Sequence, residues 1–413
     1  MKTKFPYLTG LVTLSLSLPA SADTIYSGLL NTTIPTDFTG TTVIIAGGTL
    51  NPFFGGVGVA NNNLLQPGRV GTGNLDAIKN FGVNAIIDGG LVLDASNGFG
   101  GSFTHLGAGP VQFQAGTDGY IGFKLNGGDY GWMHVVFTNN TGGALIKDWA
   151  YDNGGAAIAT GNVLQSGSTV TLNSALGSFT LGSQVTGSNS VVKTGGNSAT
   201  LTGTNSYSGG TTVSNGTLLV NGAITGSGTV SVASGATLGG TGSIAGAVTV
   251  NAGGTLAPGA SIESLSSGDL TFTGGTFKYE MNSSAGSSVA ADLQKALGNL
   301  ALTGTVTLDL TDIAVSPVAF APNTTLSLIN YAGTWNSGFF TYDSNVLSEG
   351  ETFTAGLNTW RINYGATTGG LNFASDFTTG HFINLTAIPE PGSWLALGCL
   401  VGSGTFLRSR RRK

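Results

Sequence analysis

With 413 residues, 69 of them glycine, 40 % hydrophobic and only 8 % charged, the chain is too apolar for a disordered protein and too long for a single small domain. Glycine does not recur at every third position, which excludes a collagen-like rod. The formal net charge is −5, but Lys2, Lys4, Arg408, Arg410, Arg411, Arg412 and Lys413 crowd the two ends, so the body between them is acidic and nucleic acid is a poor partner.

Residues 1–22 carry Lys2 and Lys4, an apolar run from Leu11 to Leu18, Pro19, and then Ala20-Ser21-Ala22. A charged start, a short apolar core and a small-x-small end make a secretory signal peptide, with cleavage expected after Ala22. The only cysteine, Cys399, excludes an intramolecular disulfide and a cysteine-based zinc site.

Residues 23–162 alternate short apolar runs with Gly-Gly and Asn-Gly turns. Strands are expected at Thr42 to Ile45, Ala85 to Ile87, Leu91 to Leu93, Val111 to Phe113, Tyr120 to Leu125 and Trp132 to Phe137, packed as a β-sandwich. Leu75, Ile78 and Phe81 are spaced for one short helix over Asn74 to Gly82. Tyr130, Trp132, Trp149 and Tyr151 suit an aromatic platform for sugar rings, or else the core. His134 alternates with Met133 and Val135 and reads as a strand histidine. Asp129, Asp148 and Asp152 with Asn153 are candidates for a carboxylate pair or Ca²⁺ ligands. No D-x-D-x-D-G loop is present, and turn aspartates are the simpler reading. Tyr120, Gly122-Phe123, Tyr130-Gly131-Trp132, Val135 and Trp149-Ala150-Tyr151 together resemble a segment of secreted proteins of the PEP-CTERM class, a resemblance that implies no activity.

Residues 163–260 hold the clearest pattern. Leu218, Val220, Val230, Val232, Leu238, Ile244, Val248, Val250 and Leu256 are all even-numbered, so an extended chain keeps every one on the same face. A repeat near twenty residues predicts stacked β rungs, none able to bury its apolar face alone. Between Asp152 and Glu263 there is no Asp, Glu or His, and Lys193 is the one cation. Proton transfer and metal binding need such groups, so this stretch reads as scaffold. Lys193-Thr194-Gly195, Leu201-Thr202-Gly203, Tyr207 to Thr212 and Gly216-Thr217-Leu218 resemble the autotransporter-associated β-strand repeat, and Gly254 to Gly259 resembles the same kind of passenger domain. That resemblance implies a short right-handed β-helix on a bacterial surface protein, with no catalytic residues.

Residues 261–387 continue in β pattern, with a helical alternative at Ala290 to Leu297, and are expected to form a C-terminal β cap. Glu263, Asp269 and Glu280 read as a solvated face. At 388–413, Pro389-Glu390-Pro391 precedes an apolar run to Leu407 and the basic cluster of Arg408, Arg410, Arg411, Arg412 and Lys413. A single transmembrane helix is expected here, its basic end cytoplasmic. The three-part order resembles the PEP-CTERM sorting signal, which implies recognition by an exosortase, a transient inner-membrane anchor, and release or transfer to the cell surface.

The sequence therefore leads to an all-β, exported, non-enzymatic protein with a structural or adhesive role, without cofactor or metal, and with extracellular polysaccharide as a potential partner. Two other readings stand beside it: a polysaccharide lyase or hydrolase built on the β-helix, and a carbohydrate-binding module in the N-terminal domain.

Overall fold

The computed structural model describes residues 23–389 apart from 63, 72–75, 92, 94–101, 104–105, 260, 285–289 and 373–379. The expected signal peptide and transmembrane segment lie outside the described residues. So do Glu390, Pro391, Arg408, Arg410, Arg411 and Arg412, while Pro389 is the last residue described. Among the described residues there is no α-helix, and no helix long and apolar enough to cross a membrane.

The repeat folds as the alternation of side chains dictates. Each rung contributes one short strand to each of three parallel sheets, as in Thr211–Val213, Gly216–Val220 and Ala223–Ile224. Leu218 stacks on Leu238 and Leu238 on Leu256, while Val230 stacks on Val248 and Val248 on Leu270. All are buried in one hydrophobic core that runs the length of the coil. The even-numbered face of the sequence is the interior of the coil.

The corners explain the glycine content. A Cβ on Gly222 would meet the Gly203 carbonyl, one on Gly242 the Gly222 carbonyl, and one on Gly228 the Gly209 carbonyl. Each of these glycines has the carbonyl of the rung behind where a side chain would stand, so the corners close only without one.

The parallel register does not stop near residue 260, where the sequence pattern places a separate block. Thr255 pairs with Thr276, Thr276 with Thr307 and Thr307 with Thr341. The rung merely lengthens, from 18 residues between Val230 and Val248 to 30 between Leu270 and Leu300, and the longer turns hide the period. Antiparallel strands Thr352–Ala355, Asn358–Ala366 and His381–Ile388 extend the third sheet. Trp335 stacks on Tyr364 with ring centroids 5.0 Å apart, among the apolar residues packed at this end.

Ala290 to Leu297 is extended. Leu293–Ala296 runs parallel to Ser264–Ser267 and buries Leu293, Gln294 and Ala296, so sheet packing overrides its helix-forming composition. Within the helix expected at Asn74 to Gly82, Ile78 bridges to Arg69 and Asn80–Phe81 pairs with Tyr120 and Ile121. Ile78 and Phe81 feed two different cores. Residues three apart on an extended chain point to opposite faces, which is what that spacing serves here.

In the N-terminal part, Asp118–Leu125, Tyr130–Val136 and Leu145–Asp152 form an antiparallel meander. One face, with Ile121, Phe123, Met133 and Ile146, packs on the sheet of Val43–Ile45, Gly48–Phe53 and Gly58–Asn61. The other face, with Tyr120, Trp132 and Ala150, is covered by Ile87 and Ile158 of a small strand pair. The first described strand, Thr24–Tyr26, joins this unit to the coil. It is antiparallel to Ala150–Asp152 on one side and bridges in parallel from Thr24 to Leu181 on the other. Meander and second coil sheet are thus one sheet, of 17 strands among the described residues.

Candidate functional site

The four aromatic residues expected as a sugar platform do not share a face. Trp132 opposes Ala150 across the meander, whereas Trp149 opposes Met133 and Tyr151 opposes Gly131. Trp132 and Tyr130 therefore belong to one face, and Trp149 and Tyr151 to the other. Trp132 is fully buried and its indole Nε1 donates to Asn162 Oδ1 at 3.3 Å. Trp149 and Tyr151 stack at 6.1 Å and are half-buried against the other core. A platform built on Trp132 is excluded by its burial.

On the Trp132 face, His134 is enclosed by carboxylates. Its Nε2 lies 3.1 Å from Asp118 Oδ1 and its Nδ1 3.3 Å from Asp148 Oδ1. Tyr120 stacks over the ring at 4.6 Å, and Tyr26 donates its hydroxyl proton to Asp148 Oδ2 at 2.9 Å. Burial, reinforced by the neighbouring Asp148 charge, pushes the Tyr26 and Tyr120 hydroxyls up. Asp118 is held down by Lys147, 3.0 Å away, and by His134, against the opposing effect of burial. His134 is 3 % exposed and Asp148 fully buried, which leaves no room for a substrate beside them. His134 is thus a strand residue as expected, but the two carboxylates approach its ring nitrogens without hydrogen-bond geometry. Asp148 is not the turn aspartate expected; it sits mid-strand with Tyr26 and His134 as partners. Asp152 does hold a turn, accepting the amide protons of Gly154 and Ala156. Among the described residues no group of three or more His, Cys, Asp or Glu is placed to hold a metal ion.

In the repeat, Lys193 is wholly enclosed. Its Nζ donates to the carbonyls of Thr194, Gly195 and Asn215, each at 2.9 Å. Asn215 belongs to the next rung, so the lysine ties two rungs through main-chain carbonyls at a partly buried turn. Desolvation lowers its ammonium to about 8.

A small groove of about 190 Å³ opens on the outer side of the second sheet. Its floor is Gly239 and Ala257, and its far end brings together Lys278, Glu280 and Asp292. Lys278 Nζ and Glu280 Oε1 are 2.7 Å apart, so Glu280 is a paired residue and not part of a free acidic face. Asp292 is 1 % exposed; its two oxygens accept the backbone amides of Glu263 at 3.2 Å and Glu280 at 2.8 Å. Burial pushes its carboxyl up to about 8, against the lowering effect of those amides. Sequence reasoning missed this cluster because Asp292 arrives from the link between Ala290–Ala291 and Leu293–Ala296, away from Lys278 and Glu280 in the chain. The one available signal was a lone carboxylate inside the apolar run Ala290 to Leu297.

The Asp292 shift fixes a sign. A carboxyl whose folded value lies above its unfolded value of 3.8 gives stability that is complete below pH 4 and is lost as pH rises towards 8. The melting temperature is expected to fall across that window, and Asp292→Asn to flatten the fall. Thermal melts of both proteins from pH 4 to 9 test this; equal slopes would remove Asp292 as the cause.

Comparison with known proteins adds one positive finding. Residues 191–220 match the family model described as passenger-associated-transport-repeat, which covers Lys193 and the rung ending at Val220. No curated protein matches the chain. With its all-β coil, the repeat marks a secreted, passenger-like β-helical protein of the cell surface or exterior.

Proposed function

We propose that this is a non-catalytic protein of the bacterial surface or extracellular matrix, sorted by an exosortase through Pro389-Glu390-Pro391 and the basic cluster of Arg408, Arg410, Arg411 and Arg412. Its role is structural or adhesive, with extracellular polysaccharide as the partner and the inner membrane as a transient anchor. The observation that supports this most is the coil itself: a continuous apolar interior, with no Asp, Glu or His from residue 153 to 262. Such a coil can present long sheet faces but cannot move protons along most of its length. The test replaces Pro389, Glu390 and Pro391 with alanine and follows the protein by cell fractionation and intact mass. Retention in the membrane fraction with an unprocessed tail is expected. Unchanged localisation and mass would refute sorting by this motif.

The second reading, a polysaccharide lyase or hydrolase, draws support from the meeting of Lys278, Glu280 and Asp292 in one groove. Asp292 already accepts two backbone amides and Lys278 is already paired, which favours a structural use of all three. Release of reducing ends or unsaturated products from neutral or acidic polysaccharides by the purified protein would reverse the choice.

A further inference from the structure

The outer side of the second coil sheet carries two parallel columns of side chains. Register sets the first as Ser198, Thr217, Thr237, Thr255, Thr276 and Thr307, one hydroxyl per rung. The second column, two residues further along each strand, runs Thr180, Thr200, Leu219, Gly239 and Ala257. It is low: Leu219 leans onto Gly239, whose own Cβ would lie 3.2 Å from the leucine Cδ2, and Ala257 offers only a methyl.

Two concavities lie on this column. One is the groove over Gly239 and Ala257. The other, about 390 Å³, lies where the N-terminal unit meets the coil and is floored by Ser178, Thr180 and Thr200. Its walls carry Ile86 and Leu176, 42 % and 51 % exposed, with the amides of Asn84, Asn162 and Asn173. Thr200 of the larger concavity pairs directly with Leu219 of the groove. The two therefore adjoin along one column of the sheet face, and that line is the furrow. From Phe179–Leu181 to Gly275–Asn282 it crosses six neighbouring strands, about 24 Å at the usual strand spacing.

Resting on the surface role proposed above, we infer that this furrow binds a linear, uncharged glycan chain along the coil axis. Its lining selects that chemistry. Hydroxyls and amides at regular intervals pair with sugar hydroxyls, and Leu219, Ala257, Ile86 and Leu176 suit the apolar faces of the rings. The furrow's cation, Lys278, is paired with Glu280, burial pushes Asp292 beside them towards its neutral form, and Asp152 stands at the other end, so the lining offers no unpaired cation. An anionic polymer would find no free positive charge there to offset the loss of its hydration. A length of five rung spacings suits a chain of several residues better than a single sugar.

The test is affinity electrophoresis of the full-length protein through gels containing dextran, galactomannan, hydroxyethylcellulose or polygalacturonate. At least one neutral polymer is expected to retard the protein and polygalacturonate is not. Ala257→Trp, which fills the furrow from an outward position, should weaken retardation at least tenfold with an unchanged melting curve. Thr237→Val keeps the side-chain shape and loses one hydroxyl; it should weaken retardation several-fold, and carries the test if the tryptophan variant does not fold. No retardation by any neutral polymer overturns the inference. So does retardation that survives a folded Ala257→Trp, or stronger retardation by polygalacturonate. Cell fractionation separates the two claims: a surface-located protein that binds no glycan sinks the furrow alone, and a glycan-binding protein absent from the surface sinks the placement alone.

Discussion

Lys193→Met should lower the free energy of unfolding by about 2–3 kcal/mol. Methionine replaces the apolar stem but brings no donor, and the partly buried carbonyls of Thr194, Gly195 and Asn215 lose a partner each. Replacing a buried charge can be harmless when its partners leave with it. These partners are main chain and stay. The pH dependence supplies a second readout. The folded lysine titrates near 8 and the unfolded one near 10.5, so between those values the unfolded chain holds the proton that the folded site has released. Wild-type stability should therefore rise with pH through that window, and the slope should diminish in the variant. Urea unfolding monitored by circular dichroism at pH 7 and pH 10 reads both. A loss under 1 kcal/mol would show that the three carbonyls find other donors.

Gly242→Val is expected to be comparably damaging, at about 3 kcal/mol or more. The new Cβ would lie against the Gly222 carbonyl, which belongs to the rung behind and is fixed by the sheets on either side. Neither neighbour is the end of a flexible side chain, so relief requires two rungs to part. Gly196→Ala is the matching control: it also lies in a coil turn, yet a Cβ there has open space, and its effect should stay within about 0.5 kcal/mol. Equal melting temperatures for the two variants would mean that the corners yield more readily than their geometry implies.

The stacking of the coil was legible in the sequence because nothing competes with it there. Leu218, Leu238 and Leu256 recur at the rung interval, with scarcely a charge between them, and they stack as that interval requires. Beyond Leu270 the same coil continues, but a turn lengthened to accommodate Ala290 to Ala296 breaks the interval and hides the continuity. The aromatic platform failed for a different reason. Parity within one strand places Tyr130 with Trp132, and Trp149 with Tyr151. Whether the pairs coincide depends on how Tyr130–Val136 docks on Leu145–Asp152, where the register also shifts after His134. That is a property of two segments together. The furrow was equally hidden, since its floor is defined by residues of six separate strands.

The strand Thr24–Tyr26 has one further consequence. Its neighbours are Ala150–Asp152 and Leu181, so a nascent chain must hold this segment unpaired until more than 120 later residues have been made. Every rung after it finds its template already laid, 18 residues behind at Val248 and 30 at Leu300. Closure at the seam is the slow, long-range event in maturation. From there the coil grows by accretion, one turn upon the last.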